Sequence, residues 1–84
     1  MKVFKINDCD WYMANTLDEA VALAIAETGL PRDEAVDDPR ELSEEAMNRL
    51  QFVNPDGSKW SFAVELQNRI QAGMKPGFFA TTEY

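Results

Sequence analysis

The chain has 84 residues, with fifteen Asp and Glu against eight Lys and Arg, no histidine and one cysteine. This length predicts a single domain, residues 1–84, and a formal net charge of −7 disfavours direct binding to nucleic acid or to an anionic membrane. Without histidine, the chain offers no Ser-His-Asp or Cys-His catalytic group and no zinc site built from thiolate and imidazole ligands. Because Cys9 has no partner for a disulfide and no apolar run approaches the ~20 residues of a membrane span, we expect a cytoplasmic protein.

The N-terminal part of the chain predicts a β-hairpin. Residues 3–6 and 11–14 have β character, and the Asx-rich residues 7–10 between them favour a turn. Alternation places Phe4 and Ile6 on one face of this hairpin.

The first helix is predicted to begin at Thr16 as N-cap, with Glu19 completing a capping box. Gly29 is the expected left-handed terminator, and Pro31 lies just beyond it. The apolar residues between these ends follow helical spacing: Leu17, Ala20, Val21, Ala24 and Ile25.

The middle of the chain predicts a charged connection over residues 30–41 with one short helical turn at most, then a helix capped by Ser43. A second hairpin follows, with Asn54-Pro55-Asp56-Gly57 as a type I turn and a glycine bulge. A third helix is capped by Ser61 and stopped by Gly73, and its predicted buried stripe is Phe62, Leu66 and Ile70.

Residues 78–84 then predict a terminal strand, so the order of elements is β-β-α-α-β-β-α-β. Hairpins separated by about three helices indicate an α+β fold with an antiparallel sheet.

Few residues suggest catalysis or ligand binding. Asp8 and Asp10 flank Cys9 and disfavour its thiolate, and the neighbouring residues lack the glycine and final Glu of a calcium loop. No glycine-rich phosphate loop is present. We therefore expect no enzymatic activity, no metal and no cofactor. A small hydrolase that uses a carboxylate pair stays open, because residue type alone does not exclude it.

Seven acids fall within residues 33–45, here called the acidic segment: Asp33, Glu34, Asp37, Asp38, Glu41, Glu44 and Glu45. Carboxylates three or four residues apart on a helix lie roughly 5–6 Å from each other. Such a ridge would suit a basic groove that normally holds nucleic acid, whose duplex carries a charge about every 1.7 Å. Arg32 and Arg40 interrupt the run. The alternative is a solvated loop followed by acids that favour a helix start.

The C-terminus is the second candidate surface. The alternation of side chains along a strand places Phe78 and Phe79 on opposite faces. A strand that completes the core is the interpretation that accounts for most of residues 78–84. We expect Phe79 and Tyr84 to contribute apolar contacts with a partner, or to form a homodimer through the terminal strand.

The chain resembles small acidic accessory proteins encoded by phages, prophages and mobile elements. The resemblance is carried by Trp11-Tyr12 before a capped helix, by Glu27-Thr28-Gly29-Leu30, by residues 38–43 and by the closing residues 76–84. It implies a bacterial context and a protein that binds a host protein, including anti-defence action of the anti-CRISPR type. It assigns no functional residue.

The sequence thus predicts a non-enzymatic cytoplasmic protein that binds a basic protein partner, and the resemblance implies that this is the cytoplasm of a bacterial host. A structural or assembly module that self-associates through its C-terminal strand is the alternative.

Overall fold

The computed structural model describes residues 1–81, which form four helices and six antiparallel strands, so the predicted α+β class is confirmed. In chain order the elements are β1 (Lys2–Lys5), β2 (Asp10–Ala14), α1 (Leu17–Thr28), α2 (Arg32–Ala35), β3 (Arg40–Glu41), α3 (Glu44–Arg49), β4 (Gln51–Val53), β5 (Lys59–Ser61), α4 (Phe62–Gln71) and β6 (Gly77–Thr81). The predicted continuation of the terminal strand to Tyr84 lies outside the described residues.

The chain divides into two compact units. Unit 1 consists of Met1–Glu41 and Lys75–Tyr84, and unit 2 consists of Leu42–Met74. Unit 2 is therefore inserted in the sequence between β3 and β6 of unit 1. A single domain over residues 1–84 stays a prediction.

Unit 1 contains a four-stranded sheet in the order β3-β1-β2-β6. The β1–β2 hairpin pairs Lys2 with Ala14 and Lys5 with Trp11, which confirms the predicted N-terminal hairpin. The pairing of β2 with β6 shifts register between Trp11 and Tyr12, which places a β-bulge at Phe79.

One face of this sheet forms a core with α1 and α2. Its buried members are Phe4, Ile6, Tyr12, Ala14, Ala20, Val21, Ala24, Ala35 and Val36, with Leu23 and Ile25 packed against them. The alanines of α1 present little bulk, so the helix backbone can approach the sheet closely, and the aromatic rings fill the remaining space. Val3, Met13, Trp11 and Phe79 are buried as well.

The ends of α1 agree with the predicted capping signals. The Thr16 hydroxyl accepts a hydrogen bond from the Glu19 N–H (3.1 Å), and Glu19 accepts from the Asn15 N–H (2.7 Å). The reciprocal bond of the capping box therefore reaches one residue further back than expected. Gly29 ends the helix in the left-handed region at φ 68°.

Two short elements lie where the sequence predicts a charged connection. α2 is the single helical turn allowed there, and its Ala35 N–H donates to the Pro31 carbonyl (2.9 Å). β3 has two residues and pairs with Phe4 and Lys5 of β1. Neither element is long enough to give a periodic sequence pattern. Their positions depend instead on contacts with the rest of unit 1: β3 pairs with β1, and Ala35 and Val36 are buried.

Unit 2 consists of the β4–β5 hairpin with α3 and α4. Phe52 lies opposite Trp60 in the hairpin, and the Gly57 N–H donates to the Asn54 carbonyl (2.9 Å), as the predicted turn requires. Ser43 and Ser61 cap α3 and α4 as predicted. The predicted buried stripe of α4 is wrong at Ile70, which is 40% exposed.

Asn7 joins the β1–β2 turn to α2. Its side-chain oxygen accepts from the N–H groups of Cys9 (2.8 Å) and Asp10 (2.9 Å). Its amide nitrogen donates to the Asp10 carboxylate and to the Ala35 carbonyl, both at 3.1 Å. The Asn7 side chain thus accepts hydrogen bonds from the backbone N–H groups of the turn and also binds the short helix α2.

We expect Asn7→Ala to lower the free energy of unfolding by about 2 kcal/mol, because several partly buried hydrogen bonds are lost together. Urea unfolding monitored by circular dichroism measures this. The exposed Asn15→Ala is the matched control and should change the free energy by less than about 0.5 kcal/mol. Equal effects of the two substitutions would contradict the role of Asn7.

Candidate functional site

All seven carboxylates of the acidic segment are exposed. They do not belong to one unit, however. Asp33, Glu34, Asp37, Asp38 and Glu41 lie in unit 1, and Glu44 and Glu45 lie in unit 2. Unit 1 is therefore where most of the predicted surface lies.

The α2 turn carries the first two acids of the segment. Asp33 and Glu34 lie in its first turn and face solvent, whereas Ala35 and Val36 are buried in the core of unit 1. The Asp37 N–H then donates to the Ile6 carbonyl (2.8 Å), next to the β1 strand. Backbone hydrogen bonds and apolar burial therefore fix the chain that carries these carboxylates.

Two acids of the segment are paired with cations of the same chain. Arg40 forms an ion pair with Asp38, and Lys2 Nζ lies 3.3 Å from Glu41 Oε1. Both pairs are exposed, so each contributes at most about 1 kcal/mol and weakens with salt. Within residues 1–81, no ion pair joins Asp33, Glu34 or Asp37 to a cation. These three carboxylates are the part of the segment most accessible to a partner's cations.

The Asp38 backbone has a positive φ of 51°, although the residue is not glycine. Asp tolerates the left-handed region better than most residues do. This conformation turns the chain between α2 and β3 and allows Arg40 to pair with Asp38.

Glu44 and Glu45 have a local structural role. They occupy the first turn of α3, where the Ser43 hydroxyl accepts from the Ala46 N–H (3.1 Å). A negative charge near a helix N-terminus stabilises the helix by roughly 0.3–1 kcal/mol. The solvated-loop and helix-start interpretation therefore accounts for these two acids better than for those of α2.

The net charge is concentrated in unit 1. Eleven Asp and Glu against five Lys and Arg fall in its sequence, a formal charge of −6, and four against three fall in unit 2, a formal charge of −1. A cationic partner would therefore be attracted chiefly to unit 1.

Of the two C-terminal docking residues predicted, Phe79 is not available. It is 1% exposed, so the prediction that its side chain contacts a partner is wrong, and Tyr84 lies outside the described residues. Phe78, next to Phe79 in the chain, lies opposite Tyr12 in the sheet and is 43% exposed. Its ring packs edge-on against Tyr12, with 5.7 Å between centroids.

The buried acid of unit 2 was not identified from the sequence. Glu65 is 9% exposed and accepts hydrogen bonds from Trp60 Nε1 (2.9 Å) and Arg69 Nε (2.6 Å). The Arg69 guanidinium also lies over the Phe52 ring, 5.3 Å from its centroid. One carboxylate oxygen thus joins α4 to Trp60 of the hairpin, and the other holds Arg69 one turn further along the same helix. The four-residue spacing of Glu65 and Arg69 on a helix was the available signal.

The other acids near turns also have structural partners. Asp10 accepts from Asn7, and Asp56 accepts from the backbone N–H and the hydroxyl of Ser58. Among residues 1–81, no three acidic or thiol side chains come together in a way that would hold a metal ion. No helix in that same part of the chain is long and apolar enough to cross a membrane.

We expect Glu65→Gln to destabilise the protein by about 2 kcal/mol, because Gln keeps an oxygen for Trp60 but removes the negative charge facing Arg69. Urea unfolding followed by tryptophan fluorescence measures the change. Glu45→Gln removes an exposed charge and is the matched control. Unfolding of both variants at the same urea concentration would contradict a stabilising role for the buried pair.

Burial of the phenol raises the pKa of Tyr12 well above its ordinary value of 10.0, and the nearby Glu27 carboxylate raises it further. Below about pH 10 the residue is protonated in both states and adds no pH dependence. Above that pH the unfolded chain loses a proton that the folded chain keeps, so stability falls.

We expect this ionisation to lower the free energy of unfolding by about 1 kcal/mol between about pH 9 and about pH 11. Urea unfolding at both pH values, on the wild type and on Tyr12→Phe, isolates the effect because lysine titration is common to both. The variant should show a shallower decline. An identical decline in the two proteins would contradict the assignment.

Comparison with protein-family models, characterised sequences and solved structures finds no match for this chain. Its function is therefore inferred from the chemistry of its own residues.

Proposed function

We propose that the chain is a non-enzymatic binding protein whose acidic segment occupies a basic site on a protein that handles nucleic acid. The exposure of all seven carboxylates carries this proposal. Asp33, Glu34 and Asp37 are its centre, because no cation of residues 1–81 forms an ion pair with them. Asp38 and Glu41 add charge within unit 1, and Glu44 and Glu45 are the acids of the segment that belong to unit 2.

A nucleic-acid site suits this surface because carboxylates and phosphates are bound by the same groups. Arg presents a planar fork of donors to either anion, and Lys presents a compact charge. A formal charge of −6 on unit 1 would also steer encounter with a basic cleft. Binding of this kind inhibits the partner by occupying the place of its nucleic acid.

The proposed setting is the cytoplasm of a bacterial host. The resemblance to phage and mobile-element accessory proteins supports it, and inhibition of a defence enzyme such as a CRISPR effector is its most concrete form. No chemical step is required of the protein, since occupying the site is enough.

Self-association through the C-terminal strand is the second candidate. β6 stands at one end of the strand order of unit 1, and Phe78 exposes 43% of its surface there. Sedimentation velocity separates the two candidates. A stable dimer that Phe78→Ser converts to monomer favours assembly, whereas a monomer at micromolar concentration favours binding through the acidic segment.

The proposal predicts that a bacterial protein captured on the immobilised chain is released by salt and by added duplex DNA. We expect a triple variant, Asp33→Asn, Glu34→Gln and Asp37→Asn, to bind the captured protein about tenfold more weakly, since three exposed charge contacts are lost. Mass spectrometry identifies the protein, and biosensor titration measures its affinity.

The matched control removes three acids of unit 1 outside the segment, with Asp8→Asn, Asp18→Asn and Glu27→Gln. Both triple variants have the same net charge, so overall charge cannot explain a difference between them. Circular dichroism checks that both are folded. Equal affinities of the two variants, or release by salt but not by DNA, would contradict the proposed site.

A further inference from the structure

The β4–β5 turn contains the one Asp-Gly step of the sequence, Asp56–Gly57, and both residues are exposed. Glycine has no Cβ to shield its backbone nitrogen, so the nitrogen of Gly57 can approach the preceding side chain more closely than that of any other residue type. The Asp56–Gly57 sequence can therefore cyclise, with the Asp56 side chain bonded to the Gly57 backbone nitrogen.

In that reaction the Gly57 nitrogen attacks Cγ of Asp56. A nitrogen–carbon bond forms, the Cγ–OH bond breaks, and the hydroxyl leaves with the nitrogen's proton as water. Water then opens the cyclic imide. Attack at Cγ restores aspartate, and attack at the α-carbonyl gives isoaspartate, in which the backbone runs through Cγ. The net change consumes no co-reactant, because one water leaves and one returns.

The folded turn holds both reacting groups in other contacts. Asp56 Oδ1 accepts from the Ser58 hydroxyl (2.7 Å) and from the Ser58 N–H (2.9 Å). The Gly57 N–H donates to the Asn54 carbonyl (2.9 Å), and Gly57 has a φ of 89°. Cyclisation must break these bonds before the nitrogen reaches Cγ.

The Ser58 hydrogen bonds act on the leaving group as well. They lower the pKa of Asp56, the hydroxyl contact having the larger effect, and so favour the carboxylate. Cyclisation proceeds from the protonated acid, since hydroxyl leaves far more readily than oxide. The same contacts that fix the carboxyl group therefore also reduce its reactivity.

We propose that Asp56–Gly57 is a site of spontaneous isoaspartate formation that the folded turn suppresses, with Ser58 as the positioning residue that restrains the carboxylate. Isoaspartate lengthens the turn backbone by one methylene. The Asn54 N–H to Ser58 carbonyl bond (2.8 Å) closes the turn at its present length. Its loss would disturb the Val53–Lys59 pairing and the hairpin of unit 2.

The test incubates the full chain at mildly acidic pH and samples it over days. Trypsin releases residues 50–59, and chromatography with mass spectrometry separates aspartate, isoaspartate and the imide in that peptide. We expect product to form at least about tenfold faster in urea than in the folded wild type, and about threefold to tenfold faster in folded Ser58→Ala.

Three comparisons make the result specific. Ser58→Thr keeps a hydroxyl and should restore the slow rate. Asp56→Glu should give no product, because its ring would need an extra carbon. The tryptic peptide 33–40 contains Asp33–Glu34 and is an internal reference. Because Glu34 is bulkier than Gly57, Asp33 should form isoaspartate more slowly than Asp56 does in urea. Equal rates in folded and urea-unfolded wild type, or a wild-type rate in folded Ser58→Ala, would overturn the proposal.

Discussion

The attachment of α2 to the β1–β2 hairpin is the constraint on which the acidic surface depends. α2 has only four residues, and a helix this short is not stable through its own hydrogen bonds alone. Asn7 binds the Ala35 carbonyl, and Ala35 and Val36 are buried against the sheet. If this attachment failed, the chain that carries Asp33 and Glu34 would be a flexible loop, and binding would require ordering it at an entropic cost.

Much of the fold could be predicted because its signals are local. The caps at Thr16, Ser43 and Ser61 and the left-handed Gly29 depend on the conformation of a few neighbouring residues. Alternation likewise placed Phe4 and Ile6 on one face of the N-terminal hairpin, and both belong to the core of unit 1, although Val3 on the other face is buried as well. Each of these features is decided within one turn of helix or one hairpin.

The features that could not be predicted depend on contacts between elements. Helical periodicity on α4 ranks Ile70 as buried and Glu65 as exposed, but Trp60 and Arg69 supply the donors that make burial of a carboxylate favourable. At the C-terminus, alternation separates Phe78 from Phe79 without deciding which of the two is fully buried. The register shift opposite Trp11 and Tyr12 depends on the pairing of β2 with β6, which the sequence of either strand does not show.

The acids of the chain differ in what they do for the fold, and this difference is the best guide to function. Glu19 accepts a hydrogen bond from the Asn15 N–H at the start of α1, and Glu65 accepts one from Trp60 of the hairpin. Glu44 and Glu45 stabilise the N-terminus of α3. Asp37 follows α2 and its backbone N–H donates to the Ile6 carbonyl, whereas its carboxylate forms no ion pair with a cation of residues 1–81. Concentrating charge in unit 1 disfavours the compact state through repulsion. Within residues 1–81 no ion pair offsets this repulsion at Asp33, Glu34 or Asp37, and that is the physical basis for proposing a cationic partner.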